Sequence, residues 1–195
     1  ILGGFFMEIE VSKENICINK LEAVKKELIY VEEDMIVPDT KPDILNTINV
    51  KGNLCVSKKE VMQDKLKIEG NVNTYVMYLP DSNADNLRAL NCTMDFSQYI
   101  AVPGAKEGMN LVTKCEIKDM ECKVINGRKI NLKAAIEICI YLYSNEDIEI
   151  VNSVQDIQDI QILNQDFQVN SLIGNGKTTV YAKENINIDV QDELD

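Results

Sequence analysis

Ile130-Asn131-Leu132-Lys133-Ala134-Ala135-Ile136-Glu137-Ile138-Cys139-Ile140-Tyr141-Leu142 decides the fold. Ile130, Leu132, Ala134, Ile136, Ile138, Ile140 and Leu142 fall on one side, and Lys129, Asn131, Lys133 and Glu137 on the other. A strict period of two over this length is the mark of a strand with one face on a core. Asn126-Gly127 stands just before it, the strongest hairpin signal in the chain. The partner strand reads backwards from that turn. Leu111, Thr113, Cys115 and Ile117 alternate with Val112, Lys114 and Glu116, and after Asp119 the apolar phase moves to Met120, Cys122 and Val124. A one-residue change of phase inside a strand predicts a β-bulge or a bend.

The same period recurs upstream. Leu66, Ile68, Gly70, Val72, Thr74, Val76 and Tyr78 share a face until Pro80-Asp81-Ser82-Asn83 ends the run with turn residues. Shorter strands are expected at 8–19, 26–37, 47–57, 87–100, 148–151 and 158–169, with an amphipathic helix over 21–36 as the competing reading. A short helical turn is expected within 39–48, where Pro42 suits a first helical position. The pattern as a whole predicts an all-β fold of about eight strands: an antiparallel β-sandwich or barrel with long hairpins and one short helical turn.

Composition narrows the chemistry. The chain has 195 residues, a net charge of −12 and no histidine. Without histidine there is no Ser-His or Cys-His pair, and the commonest general base and metal ligand are missing. An acidic chain without a basic stripe is a poor match for nucleic acid or an anionic membrane surface. No run approaches 18 apolar residues, so no membrane-spanning helix is expected. The six cysteines form no Cys-x-x-Cys and sit mostly in strand-like, apolar surroundings, which predicts free, mostly buried thiols in a reducing compartment.

Several motifs begin and fail. Gly174-Asn175-Gly176-Lys177-Thr178-Thr179 ends like a phosphate-binding loop. Ser171 stands where that loop needs its first glycine, and Val180-Tyr181-Ala182 continues as a strand where a helix is required. Asp81-x-Asn83-x-Asp85 opens like a calcium loop, but Asn86 replaces the glycine and Cys92 the bidentate glutamate. Glu32-Glu33-Asp34 and Glu146-Asp147-x-Glu149 are carboxylate clusters. Neighbours on a strand face opposite sides, so adjacency alone makes no catalytic pair. No catalytic residue, metal ligand or cofactor site is therefore expected. Tyr75, Tyr78, Tyr99, Tyr141 and Tyr143 raise one alternative, a carbohydrate- or peptidoglycan-binding β domain, although Tyr75 and Tyr78 differ in parity.

The most specific local stretch is Val37-Pro38-Asp39-Thr40-Lys41-Pro42-Asp43-Ile44. Two prolines fix φ across a short span, and the aspartates can accept local amide hydrogens, which predicts a rigid capped corner. This stretch, with Lys67-Ile68-Glu69-Gly70 leading to Val76-Met77-Tyr78, and with Gly127-Arg128-Lys129-Ile130, resembles the SPOCS domain family. Within that family it is similar to the SipL-like spore morphogenesis proteins of clostridia. The resemblance covers roughly residues 7–170. It implies a non-enzymatic assembly module in the mother-cell cytoplasm, at the forespore surface. Its implied partners are spore coat or morphogenetic proteins, with self-association as a further option. In the family, contact with the coat-basement ATPase is linked to a C-terminal LysM module, which this chain lacks, so that contact is not placed on it. Pro38, Asp39, Lys41, Pro42 and Asp43 are the candidate partner-binding residues, and the same corner residues are also candidates for a purely structural role.

One internal echo bears on domain organisation. Ile29-Tyr30, Glu33, Met35 and Val37 recur as Val180-Tyr181, Glu184, Ile186 and Ile188. Residues 1–6 are read as an added leader before Met7, residues 7–170 as the β domain, and 171–195 as a linker with the truncated start of a second unit.

Overall fold

The computed structural model describes residues 10–81 and 86–155, and beyond them only 163, 165, 166, 168, 176, 178, 180 and 182–184. Among the described residues six strands run in chain order: β1 (Glu10–Ile36), β2 (Ile44–Met62), β3 (Lys65–Pro80), β4 (Arg88–Ala101), β5 (Asn110–Asn126) and β6 (Lys129–Gln155). They form two antiparallel three-stranded sheets, ordered β1-β6-β5 and β2-β3-β4. The sheets pack face to face as a sandwich, with β5 alongside β2 and β1 alongside β4.

The two longest apolar rows become the central strands. β3 contributes Leu66, Ile68, Val72, Val76 and Tyr78, and β6 contributes Ile130, Leu132, Ile136, Ile138, Ile140 and Leu142, all buried. A central strand meets the core along its whole inner face, so its alternation is unbroken. Leu90, Met94, Phe96 and Ile100 of β4 complete the core from the neighbouring strand.

Several expectations change at the edges. The strands expected at 8–19 and 26–37 are one strand, β1, and no helix occupies 21–36. A register shift between Leu21 and Ala23 leaves Glu22 as an extra residue and reverses the facing of the residues after it, which hides the strand from a periodicity search. The run at 148–151 likewise belongs to β6, which pairs with β1 beyond the sandwich through Tyr143–Gln155. The run at 158–169 and the second unit at 171–195 lie outside the continuous described residues. The bulge expected in β5 is present, with Lys118 left unpaired between Ile117 and Asp119. The cysteines form no disulfides, but they are not mostly buried: Cys17 and Cys55 are exposed and the other four half-buried. Burial raises the Cys122 thiol to about 11.

The short helical turn expected within 39–48 is absent. Pro38–Lys41 closes as a turn, with Lys41 N donating to Pro38 O at 2.9 Å, and β2 begins at Ile44. The reason is tertiary. Ile44 N, which a helix entered at Pro42 would leave free, donates instead to Gly127 O at 2.8 Å.

Each end of the sandwich has a hairpin tip docked on a strand connection. At one end Asp64, in the β2–β3 tip with φ of 56°, receives Gly104 N on its carboxylate at 2.8 Å. Its backbone bonds Val102 and Ala105, both buried. At the other end the β5–β6 tip docks on the proline–aspartate corner.

Candidate functional site

The corner linking β1 to β2 is held from outside by one side chain, Arg128. Its Nη2 donates to Val37 O at 2.8 Å and to Asp39 Oδ1 at 2.7 Å. Its Nη1 donates to Lys41 O at 2.9 Å and to Asp43 Oδ1 at 3.2 Å. The planar guanidinium thus spans the corner with two carbonyls and two carboxylates, which its fixed fork suits. Val37 N returns a bond to Arg128 O at 2.9 Å, so both chains are tied through backbone as well.

Local chemistry places Arg128. Asn126 Oδ1 accepts from Arg128 N at 2.9 Å, an Asx turn that aims the tip. Gly127 serves closeness there rather than a left-handed φ, since a side chain would press on Asp43. A Cβ on it would sit 3.1 Å from Asp43 Oδ2 and 3.2 Å from Asp43 Cβ. From beneath, the buried Tyr78 donates its hydroxyl to Pro42 O at 3.2 Å, and burial pushes that phenol up, keeping it a donor. Beside the tip, hydrogen bonds from Lys129 and Asn131 hold Asp34 below its ordinary carboxylate range.

Of the residues singled out from sequence, Pro38, Asp39, Lys41, Pro42 and Asp43 all lie on this corner. Asp39 is fully exposed, Asp43 half-exposed and Pro42 partly buried. The sequence reading missed Arg128 as their organiser. It lies 85–91 positions away in the chain, and an arginine after Asn-Gly has no local signature of its own. The structure also joins the resemblance motifs: 38–44, 127–130 and the Tyr78 end of 67–78 meet at this one point.

Around the corner the strand ends present apolar side chains to solvent. Ile36 (76% exposed), Leu45 (56%), Ile48 (54%) and Ile125 (49%) lie at this end. Register shifts leave Leu45, Ile48 and Ile125 unpaired in their ladders, so bulges turn them outward.

No comparable arrangement supports catalysis among the described residues. Glu32 and Asp34 share Asn131 Nδ2, and Glu146 and Glu149 pair with Lys20 and Lys13. A shallow depression between β2 and β5, bordered by Lys51, Gly52, Asn53, Lys118, Asp119 and Met120, holds a single carboxylate. The five tyrosines do not gather on one face: Tyr141 and Tyr143 stand two residues apart on the outer face of β6, in the other sheet from the remaining three. Tyr78 is in the core, while Tyr75 and Tyr99 share the outer face of one sheet. Tyr99 lies opposite Lys67, eight residues along β3 from Tyr75, which is roughly 26 Å.

Because Pro42 contributes pre-set backbone and one carbonyl, its replacement has a bounded effect. Pro42→Ala is expected to lower stability by about 0.5–1 kcal/mol, a fall in Tm of roughly 2–3 °C by calorimetry, with partner capture unchanged. Lost capture at unchanged Tm would make the proline a contact residue.

Residues 43–125 match the family described as SipL, SPOCS domain. The matched span takes in Asp43, Ile44 and the 67–78 stretch, and stops short of Arg128. It relates this part of the chain to a sporulation-related domain family of structural type. No curated protein and no solved structure matches the chain.

Proposed function

We propose that the chain is a non-enzymatic assembly module of a spore morphogenesis protein. It contacts spore coat or morphogenetic proteins at the forespore surface, in the mother-cell cytoplasm, and the clamped corner is the contact point. The observation that carries this reading is the match over 43–125 beside a corner made rigid by Arg128 and rimmed by outward apolar residues. A rigid polar platform with an apolar rim loses little entropy on binding, and exposed apolar residues set close together mark interaction surfaces. Contact with the coat-basement ATPase, linked in the family to a LysM module, is not assigned to this corner.

Cross-linking in sporulating cells tests the reading. The Leu45→Asp, Ile125→Asp double variant is expected to keep its Tm within about 2 °C, since both side chains are already exposed. It should lose most cross-links to coat proteins. Unchanged cross-links would move the contact elsewhere. Deletion without a sporulation defect would remove the assembly role itself.

A further inference from the structure

The sandwich has four sheet edges, and three are blunted. β1 places Lys25, Glu27 and Glu33 on its inward row, to either side of the buried Ile29 and Val31. β2 is interrupted at Leu45, Ile48 and Ser57, and β5 at Lys118 and Ile125. Those two edges also lean together, with Thr47 Oγ1 donating to Cys122 O at 3.4 Å. Inward charges and bulges are the devices by which edge strands refuse further pairing.

β4 has neither. Its 14 residues run against β3 from Arg88 to Ala101 without a register shift. Asp95 is the one charge inside it. Among the described residues β4 pairs with β3 alone, and at its far end Lys25 Nζ of β1 donates to Ala101 O at 2.8 Å. In an antiparallel ladder alternate residues turn their N–H and C=O away from the neighbour. β4 therefore offers a regular row of backbone donors and acceptors, the substrate for strand addition.

The charges beside this row select the occupant. Asp95 stands mid-strand on the outer face, opposite Asn71. On the inner side Glu33 of β1 approaches Cys92, whose thiol is raised by burial and then by that carboxylate. Toward Ala101 the sign reverses: Lys65 and Lys67 lie 5.0 and 5.8 Å from the Tyr99 ring centre, and Lys25 caps the strand. A second copy suits this edge badly. Overlapping the middles of two β4 strands brings Asp95 near its own counterpart, between chains of net charge −12.

We propose that β4 accepts, as an added strand, an extended segment of a partner protein that carries lysine or arginine toward Asp95 and Glu33. Backbone bonds supply the affinity and the cations fix register. The edge carries this inference independently of the assembly role above.

Three end-capped ten-residue peptides test it by fluorescence anisotropy on the full chain: alternating valine and lysine, alternating valine and glutamate, and the lysine peptide N-methylated along one edge. The lysine peptide is expected to bind at least about tenfold more tightly than the glutamate peptide. N-methylation, which leaves charge unchanged, should abolish binding. Asp95→Lys should weaken the lysine peptide by about tenfold. Hydrogen exchange should show new protection of alternate amides in 89–100. Equal binding of the methylated and unmethylated peptides would reduce the effect to bulk charge and overturn the assignment. Protection of those amides before peptide is added would also overturn it. That protection would assign the edge to a second copy if it rises with protein concentration, and to this chain's own residues if it does not.

Discussion

Arg128→Ala is expected to lower the stability of the domain by about 2–4 kcal/mol, more than any other single substitution of a surface residue at the corner. The size follows from which bonds are lost. The ion pair to Asp39 joins a guanidinium one-third exposed to a carboxylate fully in water, and contributes roughly 0–1 kcal/mol. The bonds to Val37 O and Lys41 O matter more, because they are charge-assisted and the first lies in a partly buried setting. Val37 itself is fully buried, so a corner that relaxes outward also opens the edge of the core. For a chain of this size the loss corresponds to a fall in Tm of roughly 5–12 °C. Urea unfolding should show a lower midpoint at constant slope. Arg128→Lys should recover less than half, because one ammonium cannot reach four acceptors in a fixed plane. Asp39→Ala should stay within about 0.5 kcal/mol of the parent. If Asp39→Ala proves as damaging as Arg128→Ala, the ion pair holds the corner and the carbonyl clamp does not.

This contrast also marks how much was legible in the sequence. The central strands were legible because β3 and β6 see the core along one face from end to end. The Asn126-Gly127 hairpin and the bulge before Asp119 arise from short-range rules, and both are present. β1 was not legible as one strand. Its inward row carries Lys25, Glu27 and Glu33 where the sandwich opens at its side, and Glu22 breaks the parity. The corner was legible as rigid, but its geometry was not. Pro42 favours a helix start in isolation, but a hairpin tip from far along the chain supplies an acceptor for Ile44 N, an amide that such a helix would leave free. Asp64 escaped notice for a similar reason, since its partners at 102–105 gather only once β3 and β4 have paired. Prolines, turns and alternation are local, whereas clamps between distant segments are not.

Gly70→Ala is expected to cost about 2–3 kcal/mol, although it adds one methyl group and demands no unusual φ. Gly70 lies on the core-facing row of β3, within the span that matches the SPOCS family. A Cβ there would collide with the carbonyl oxygen of Cys55 and come within 2.9 Å of Phe96 Cζ. The first obstacle is backbone. β2 bulges between Val56 and Lys58, directly across from Gly70, and Ser57 donates to Glu69 O at 3.1 Å. Glycine is what lets the bulged strand come this close. Gly52 provides the control. Its added Cβ would meet the end of Met120 and Val72 Cγ1, both side chains, and the methionine can turn aside. Gly52→Ala should therefore cost less than Gly70→Ala, about 1–2 kcal/mol, most of it from the buried Val72, whose branched side chain is stiff. A Gly70→Ala, Phe96→Leu double variant frees the ring but not the carbonyl, so it should regain under half of the loss. Full rescue would show that the aromatic ring alone sets the spacing. The β2 bulge would then be a consequence of this packing and not the reason for the glycine.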